Sequence, residues 1–398
     1  MATNNNDKTL NVPHLRFPEF SGEWEEHTLS EYLEFKNGLN PDAKRIGSGL
    51  PFISVMDILS EGVINYDNIR GKVNATEKEI ECFGVKDGDL LFQRSSETLE
   101  DVGRANVYMD NRTAIYGGFV IRGRKIGNYD PLFFKYLLAT PLARKRTCRM
   151  GAGAQHFNIG QEGLSKISLY FPSIEEQRKI AGFLSLIDER IATQNKIIED
   201  LKKLKSAIVD KLYSSTNGKT YSFCQLFKVV NEKNKKLAYK NVLSASQELG
   251  MIERSDINID IKFEQESISG YKIVRKGDYV VHLRSFQGGF AFSDTTGICS
   301  PAYTILRPNN LVVYGYLSHF FTSKPFIKSL KLVTYGIRDG RSINVNEWLD
   351  MPILLPSPQE QMRILAIVNA IDAKLHNEAK VQFCLSSQKS YLLNTMFI

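Results

Sequence analysis

The strongest constraint on the fold is a repeat of one segment within the chain. FPSIEEQRKIAGFLSLIDERI begins at Phe171 and LPSPQEQMRILAIVNAIDAKL begins at Leu355, an offset of 184 residues without a gap in a chain of 398 residues. Self-similarity at a fixed spacing indicates repeated structural units. Both copies contain Pro-Ser followed by Glu-Gln, and at this offset Asp188 falls on Asp372. We therefore predict a tandem duplication.

Each copy of the repeat continues as a predicted long helix with one apolar stripe. Its apolar residues alternate at four- and three-residue spacing, which is the pattern of a coiled-coil seam. The predicted helix–helix interface consists of Ile180, Leu184, Ile187, Ile191, Ile198, Leu201, Ile364, Val368, Ile371, Leu375, Leu385 and Leu392. About 38 helical residues at 1.5 Å each would span roughly 57 Å, and such a stripe needs a partner in water. The other copy is the nearest partner; two unrelated amphipathic helices packed on local cores are the alternative.

The segments before the two helices also correspond. In each, a Gly-Asp turn leads into a predicted strand, in VKDGDLLFQRS from Val85 and VRKGDYVVHLRS from Val274. DPLFFKYLLATPLARKR from Asp130 and VYGYLSHFFTSKPFIKSL from Val313 each predict one short helix that ends in basic residues. The predicted fold class is α/β (α+β), with a mixed domain at residues 1–172, a helix at 173–215, a second domain at 216–356 and a second helix at 357–398.

Composition argues against several classes of protein. No stretch approaches the roughly 18 to 20 apolar residues of a membrane span, and the opening residues lack the features of a signal peptide, so we predict a cytoplasmic protein without membrane contact. The five cysteines are far apart, and the six histidines never fall at metal-ligand spacing, so we predict no metal site. The formal net charge of +7 permits a polyanionic partner without requiring one.

Catalytic and nucleotide-binding motifs are not evident in the sequence. A methyltransferase acting on base amino groups needs an Asn/Asp-Pro-Pro-aromatic loop, and none is present. Gly218-Lys219-Thr220 resembles the end of a phosphate-binding loop, but Tyr213 occupies the position where that motif needs glycine. We predict no catalytic residue and no cofactor bound by this chain.

Basic and amide side chains recur on predicted loops in both halves. Duplex DNA is bound by Lys and Arg along its phosphates and by Arg, Lys, Gln, Asn or Ser at base edges. The candidate DNA-binding residues are Lys44, Arg45, Arg94, Ser95, Arg104, Arg149, Gln155, Lys235, Lys236, Arg284, Ser285, Gln287, Arg338 and Arg341. The best-supported match places Arg94-Ser95 and Arg284-Ser285 after equivalent strands. Basic clusters at 122–125 and 144–146 are further candidates. For any single residue, a solvated surface charge is the alternative.

The order of these elements resembles the specificity subunits of type I restriction-modification enzymes. VPHLRFPEFSGEWEEHTLSEYLEFKNG from Val12, the Gly-Asp strands and the helix starts PSIEEQRKI and PSPQEQMRI carry the resemblance, which covers nearly the whole chain. It implies two target recognition domains, each recognising one half of a split double-stranded DNA site, separated by two long antiparallel coiled-coil helices in a pseudo-two-fold arrangement. It also implies assembly with two methyltransferase subunits and two motor-nuclease subunits. Those partners, and not this chain, would bind S-adenosylmethionine, ATP and Mg²⁺.

Two other functions stay open at this point. One is a single-chain nuclease or methyltransferase, which incubation with S-adenosylmethionine and DNA would detect. The other is a non-catalytic coiled-coil scaffold or regulatory DNA-binding protein. A gel shift against competitor DNA would detect sequence preference, which a scaffold would lack. The bases of each half-site and the length of the spacer do not follow from the residues.

Overall fold

The protein forms two compact units that share both long helices. The structure is a computed structural model, and it describes residues 11–215, 217–246, 249–256, 265–282, 289–335 and 342–398. Unit 1 comprises Met1–Asn195 with Val381–Ile398, and unit 2 comprises Lys196–Lys380. Each long helix therefore has one end in unit 1 and the other end in unit 2.

Unit 1 is a mixed α/β unit whose described strands form two four-stranded sheets and two short pairs. Its strands are β1 (Glu25–Thr28), β2 (Leu33–Asn37), β3 (Ile46–Ile53), β4 (Lys72–Val73), β5 (Gly84–Val85), β6 (Leu90–Gln93), β7 (Ser95–Ser96), β8 (Ala105–Val107), β9 (Ala114–Tyr116), β10 (Val120–Lys125), β11 (Phe157–Asn158) and β12 (Ser168–Phe171). Its short helices are α1 (Leu29–Tyr32), α2 (Val55–Ile58), α3 (Glu77–Phe83), α4 (Pro131–Ala139), α5 (Pro141–Cys148) and α6 (Gln161–Ser165). One sheet has the antiparallel order β2-β10-β6-β8, and the other has the order β4-β3-β9-β5 with β3 and β9 parallel.

Unit 2 has the same kind of architecture in its described residues. Its strands are β13 (Lys219–Ser222), β14 (Phe227–Val230), β15 (Leu243–Ser246), β16 (Gly250–Glu253), β17 (Lys272–Val274), β18 (Tyr279–Val281), β19 (Phe290–Phe292), β20 (Gly297–Cys299), β21 (Thr304–Pro308), β22 (Thr334–Tyr335), β23 (Ser342–Ile343) and β24 (Pro352–Leu355). Its short helices are α8 (Phe223–Leu226), α9 (Tyr316–Phe320), α10 (Lys324–Ser329) and α11 (Val345–Leu349). The largest sheet has the antiparallel order β14-β21-β18-β19.

The strand orders confirm the predicted duplication. Strands β14, β21, β18 and β19 follow each other in space as β2, β10, β6 and β8 do in unit 1. In each unit the first strand pairs with the last one, Glu25 opposite Phe171 in unit 1 and Lys219 opposite Leu355 in unit 2. This pairing brings both ends of the α/β segment to the start of a long helix. The predicted mixed α/β fold class is thereby confirmed.

The predicted Gly-Asp turns occur in both units and have a second role. Gly88 has a φ of +82° and the equivalent glycine of unit 2 has a φ of +95°, a region that glycine enters without strain. The next residue, Asp89 or Asp278, is almost fully buried. Asp89 pairs with Arg124 at 3.4 Å, and Asp278 pairs with Arg307 at 2.8 Å. Each turn is therefore fixed to the neighbouring strand by an ion pair.

Each unit has an aromatic core that contains one of the two tryptophans of the chain. In unit 1 Trp24 packs edge-on against Phe133 and Phe397, with ring centroids 6.0 and 6.1 Å apart. In unit 2 Trp348 stacks on Phe223 at 4.2 Å. Both indoles are at most 2% exposed, so the fluorescence of each can report the unfolding of its own unit.

The long helices are α7 (Ile174–Ser214), of 41 residues, and α12 (Pro358–Thr395), of 38 residues. A buried glutamine ties the start of each helix to the preceding domain. The side-chain oxygen of Gln177 accepts from the backbone N–H of Asp130 at 3.1 Å, and that of Gln361 accepts from Val313 at 2.8 Å. Each amide nitrogen also donates to the carbonyl of the proline that precedes the helix, at 3.0 Å. The predicted boundaries treat each long helix as a segment of its own, whereas the boundary between the compact units falls inside each helix. The predicted domain boundaries therefore stay predictions.

The expectation of one short basic helix before each repeat was wrong in its count. Unit 1 has two helices there, α4 and α5, and unit 2 has α9 and α10. Thr140 separates α4 from α5 because it precedes Pro141, and a residue before proline is pushed out of the helical region. The Thr140 side chain then caps α5 by accepting from Ala143, and Ser323 caps α10 in the same way.

Candidate functional site

Three segments of unit 1 carry most of its predicted DNA-contacting residues. They are residues 94–104 after β6, residues 117–119 between β9 and β10, and residues 149–158 between α5 and the end of β11; together they are the loop cluster. Arg94 and Ser95 lie in the first segment, and Arg149 and Gln155 lie in the third. The structure brings these segments into contact.

Backbone hydrogen bonds hold the loop cluster together. The N–H of Arg94 donates to the carbonyl of Phe119 at 2.9 Å, and the carbonyl of Arg94 accepts from Ile159 at 3.0 Å. One residue further on, Ser95 pairs with Asn158 in the short β7–β11 ladder. Arg94-Ser95 is therefore held between the other two segments at the end of β6. Such a position suits a side chain that must meet a ligand in a fixed orientation.

The side chains of the loop cluster differ in their hydrogen bonds, their ion pairs and their exposure to solvent. The guanidinium of Arg94 makes one long hydrogen bond to the Gly118 carbonyl, at 3.3 Å, and has no carboxylate partner within the described residues. Arg104 pairs with Asp101 at 2.7 Å and is half exposed. Arg149 and Gln155 are exposed. The cluster thus presents cationic and amide groups to solvent.

Lys44 and Arg45 lie in the turn before β3 and have unlike surroundings. Lys44 is exposed. Arg45 donates to the carbonyl of Asn74 at 2.9 Å and pairs with Glu79 at the start of α3. The hydrogen bond from the Arg45 guanidinium to the Glu79 carboxylate lowers the pKa of Glu79 to about 2. Lys44 is therefore the side chain of this turn that is available to a phosphate.

The basic cluster at 122–125 was predicted to contact DNA, and for its two arginines this prediction was wrong. Arg122 is only 6% exposed and donates to the Gly84 carbonyl at 2.7 Å. Arg124 donates to the same carbonyl at 2.6 Å and pairs with Asp89. In the cluster at 144–146, Arg146 donates to the Ser168 carbonyl. These guanidinium groups donate to backbone carbonyls of their own domain, so they stabilise it.

In unit 2 the structure describes two of the predicted DNA-contacting residues. Lys235 and Lys236 are exposed in a turn that follows the buried Asn234. Five further candidates lie outside the described residues; they are Arg284, Ser285, Gln287, Arg338 and Arg341. In the sequence, Arg284 comes three residues after Val281, the last residue of β18, whereas Arg94 directly follows Gln93, the last residue of β6.

The predicted helix–helix residues face the protein interior. Seven are buried, namely Ile180, Leu184, Ile187, Ile364, Val368, Leu385 and Leu392, and five are partly buried, namely Ile191, Ile198, Leu201, Ile371 and Leu375. Within unit 1, the start of α7 shares a core with Leu392 and Met396 near the end of α12. Within unit 2, Leu212 near the end of α7 packs against the core that holds Ile364 at the start of α12. The helices therefore run antiparallel inside each unit.

Two ion pairs occupy equivalent places in the seam. Asp188 pairs with Lys389 at 2.6 Å in unit 1, and Asp372 pairs with Lys205 at 2.5 Å in unit 2. At the 184-residue offset Asp188 corresponds to Asp372 and Lys205 to Lys389, so the same contact is made twice. The hydroxyl of Tyr136 also donates to Asp188, at 2.9 Å. The lysines that interrupt the apolar stripe thus each pair with an aspartate of the facing helix, as residues that set the register of a helix pair do, and periodicity alone did not reveal this contact.

Reversing one charge of this pair is expected to weaken unit 2. Lys205→Asp would place a carboxylate beside Asp372, and we expect a loss of about 1 to 2 kcal/mol, because the pair is partly exposed and screened. Adding Asp372→Lys should recover most of the loss. The measurement is urea unfolding followed by Trp348 fluorescence in a Trp24→Phe background. A double variant no more stable than Lys205→Asp would contradict the register role.

Several kinds of site are missing from the described part of the chain. None of its helices has an apolar run that could cross a membrane. Its His, Cys, Asp and Glu side chains form no group of three that could hold a metal ion. The five cysteines, all of which are described, form no disulfide.

Comparisons with known proteins point to one family. Residues 21–203 match the type I restriction modification DNA specificity domain. The putative type I restriction enzyme MjaX specificity subunit of Methanocaldococcus jannaschii is 23% identical over 98% of this chain and 96% of its own length. The type I restriction enzyme EcoKI specificity subunit of Escherichia coli is 24% identical over 45% of this chain and 40% of its own length.

Solved structures have the same fold. The S subunit of a type I restriction-modification system from M. genitalium superposes with a TM-score of 0.56 at 15% identity, covering 97% of this chain and 99% of that chain. A chain from a structural study of complex assembly and conformational transition in the type I R-M system gives a TM-score of 0.58 at 13% identity, covering 93% and 96%. The domain match, the full-length relative and the duplicated α/β fold with its paired helices agree. Residues 21–203 thus carry the type I restriction modification DNA specificity domain, and over nearly its whole length the chain is similar to the specificity subunits of type I restriction-modification systems.

Proposed function

We propose that this chain acts as a specificity subunit and recognises a split, asymmetric DNA site, with one half-site bound by the α/β part of each unit. The observation that carries the proposal is the recurrence, in the sequence, of an Arg-Ser pair shortly after equivalent strands: Arg94-Ser95 directly follows β6, and Arg284-Ser285 begins three residues past the end of β18. Arginine binds guanine edges in the major groove through two hydrogen bonds. The residues around the two pairs differ, so the two half-sites are expected to differ.

Exposed basic and amide side chains in both units support binding to duplex DNA. Lys44, Arg149 and Gln155 in unit 1, and Lys235 and Lys236 in unit 2, are exposed. Such side chains bind phosphates and position the protein, while base contacts supply the specificity. Arg122, which is buried, and Arg124, which is partly buried and paired with Asp89, are excluded from this role.

The two long helices are proposed to fix the distance between the half-sites. Each helix runs from one unit into the other, and each ion pair of the seam holds its register inside one unit. Two half-sites on one face of DNA lie about one helical turn, roughly 34 Å, apart. The base pairs between the half-sites would then be counted without being contacted.

The subunit is proposed to act without catalysis of its own, as the recognition part of a larger enzyme. Two methyltransferase subunits would dock on the helix pair, and two motor-nuclease subunits would join them for restriction. S-adenosylmethionine, ATP and Mg²⁺ would be bound by these partners. Incubating the chain alone, and then with its methyltransferase subunits, with DNA and labelled S-adenosylmethionine tests this assignment; methylation by the chain alone would contradict it.

Arg94→Ala is expected to relax or abolish selection of one half-site, and Arg284→Ala to do the same for the other. The loss of discrimination against a wrong base should be about 1 to 3 kcal/mol at one position. The measurement is selection of binding sites from random duplexes by each variant in complex with its methyltransferase subunits. Lys235→Ala is the control, since loss of a phosphate contact weakens all sequences evenly and lowers the salt dependence. Equal loss of both half-sites in either arginine variant would refute the assignment.

A further inference from the structure

An apolar groove opens beside the loop cluster of unit 1. Three of its side chains are far more exposed than hydrophobic residues of this size usually are: Met56 at 75%, Phe119 at 68% and Ile46 at 53%. They border a groove of about 420 Å³ whose walls include Phe52 and Gly118. Apolar surface of this kind is unfavourable in water and marks a binding surface when it is contiguous.

Cations flank the groove. The guanidinium of Arg94 lies 3.3 Å from the carbonyl of Gly118, on the wall of the groove, and the backbone N–H of Arg94 donates to the carbonyl of Phe119. Lys44, in the turn that leads into Ile46, is exposed. Neither Arg94 nor Lys44 has a carboxylate partner among the residues that the structure describes. The ligand should therefore have an apolar group that enters the groove and negative charges on either side of that group.

Duplex DNA presents that combination at one kind of base pair. In the major groove, the C5-methyl of thymine is the apolar group, and phosphates lie on both sides of it. We propose that Phe119 and Met56 recognise the C5-methyl of a thymine in the half-site bound by unit 1. The inference rests on the proposed function and adds the substrate feature that this surface selects.

The inference applies to one unit only. In the main sheet of unit 1, Val120 follows Phe119 and lies opposite Gln93, beyond the Ile121–Phe92 pair. In unit 2 the pair of Thr304 with Val281 corresponds to the pair of Ile121 with Phe92. Phe119 lies two residues before Ile121, and Ala302 lies two residues before Thr304. Ala302 therefore takes the place of Phe119. Alanine offers far less apolar surface than phenylalanine. The half-site bound by unit 2 is therefore expected to lack this methyl dependence.

The test replaces thymine with deoxyuridine, which removes the methyl group and keeps the hydrogen-bonding edge. The site selected by the complex of this chain with its methyltransferase subunits is resynthesised with one thymine at a time replaced. We expect one position, in the half-site bound by unit 1, to bind about fourfold more weakly, the factor for burying one methyl group. The half-site bound by unit 1 is the one that Arg94→Ala alters.

Variants separate the groove from its surroundings. In Phe119→Ala the thymine and deoxyuridine duplexes should bind equally. Ile126→Ala is the matched control, because Ile126 is 60% exposed and lies beyond the other end of β10 from Phe119. That variant should keep the fourfold difference. Trp24 fluorescence during unfolding should show that both variants keep a folded unit 1.

Three outcomes would overturn the inference while leaving the proposed function intact. They are a half-site for unit 1 without thymine, deoxyuridine duplexes that bind as thymine duplexes do, and a fourfold difference that persists in Phe119→Ala. If, in that third outcome, Phe119→Ala also loses the methyltransferase subunits, the groove would be assigned to a protein partner. Absence of any sequence preference in the wild-type complex would instead refute the proposed function.

Discussion

Arg16→Met is expected to destabilise unit 1 by about 3 to 5 kcal/mol. The guanidinium of Arg16 binds Glu176 through two hydrogen bonds, of 2.8 and 2.7 Å, and the Glu176 side chain is 1% exposed. Removing the cation leaves a buried carboxylate without its partner, which costs far more than the intact pair contributes. Arg16 also donates to the carbonyls of Ser21 and Gly22, so the change would release the segment before Trp24 from the start of α7.

The second copy of the repeat supplies the matched control. Glu360 stands at the place of Glu176, but it pairs with Arg363 on the same helix, and both side chains are exposed. Arg363→Met should therefore leave the stability of unit 2 nearly unchanged. Unit 1 is followed by Trp24 fluorescence in a Trp348→Phe background, and unit 2 by Trp348 in Trp24→Phe. Similar losses from the two substitutions would contradict the role given to burial.

A double substitution separates the lost pair from lost packing. In Arg16→Met with Glu176→Met, no charge remains to be buried, so most of the lost stability should return. A double variant as unstable as Arg16→Met would show that the guanidinium acts through its contacts with Ser21 and Gly22.

The duplicated fold could be predicted because it depends on local patterns that occur twice. The 184-residue offset aligned the helix starts, and the four-three spacing identified seam residues such as Ile180 and Ile364, which are buried. The Gly-Asp turns were likewise evident, because a positive φ favours glycine. What the pattern missed was the break at Thr140, where proline overrides helix propensity.

The charged seam residues show where periodicity reaches its limit. Lys205 and Lys389 interrupt the apolar stripe, and periodicity marks them only as exceptions. Their meaning depends on Asp188 and Asp372, which lie on the facing helix and far away in sequence. Antiparallel packing places the opposite charges together, and that direction came from the family resemblance.

The candidate site could be predicted only in part, because burial decides what an arginine does. Arg94 follows strand β6 and lies in the solvent-facing loop cluster. Arg122 lies within strand β10 and donates a hydrogen bond to the buried carbonyl of Gly84. Nothing in the local sequence separates them. The exposed groove at Phe119 was also missed, since an apolar residue in a strand-like segment is usually part of the core.

Lengthening both long helices is expected to change the spacer of the recognised site and leave both half-sites unchanged. Four residues would be inserted after Lys196 in α7 and four after Lys380 in α12, which correspond at the 184-residue offset. These points lie within one residue of the boundary between the units, so Asp188–Lys389 and Lys205–Asp372 each stay within one unit. Each insertion adds about 6 Å and about 40° of rotation. The same four residues inserted after Ser214, past the helix, are the control.

Mapping of methylated sites tests this account most directly. Genomic DNA would be modified by the complex of methyltransferase subunits with the wild-type chain, the double-insertion variant or the Ser214 control, and the methylated positions sequenced. The account predicts the same two half-sites for all three, with a spacer about one or two base pairs longer for the double-insertion variant only. An unchanged spacer in that variant, or altered half-site sequences, would contradict the claim that the paired helices set the distance between two independently bound half-sites.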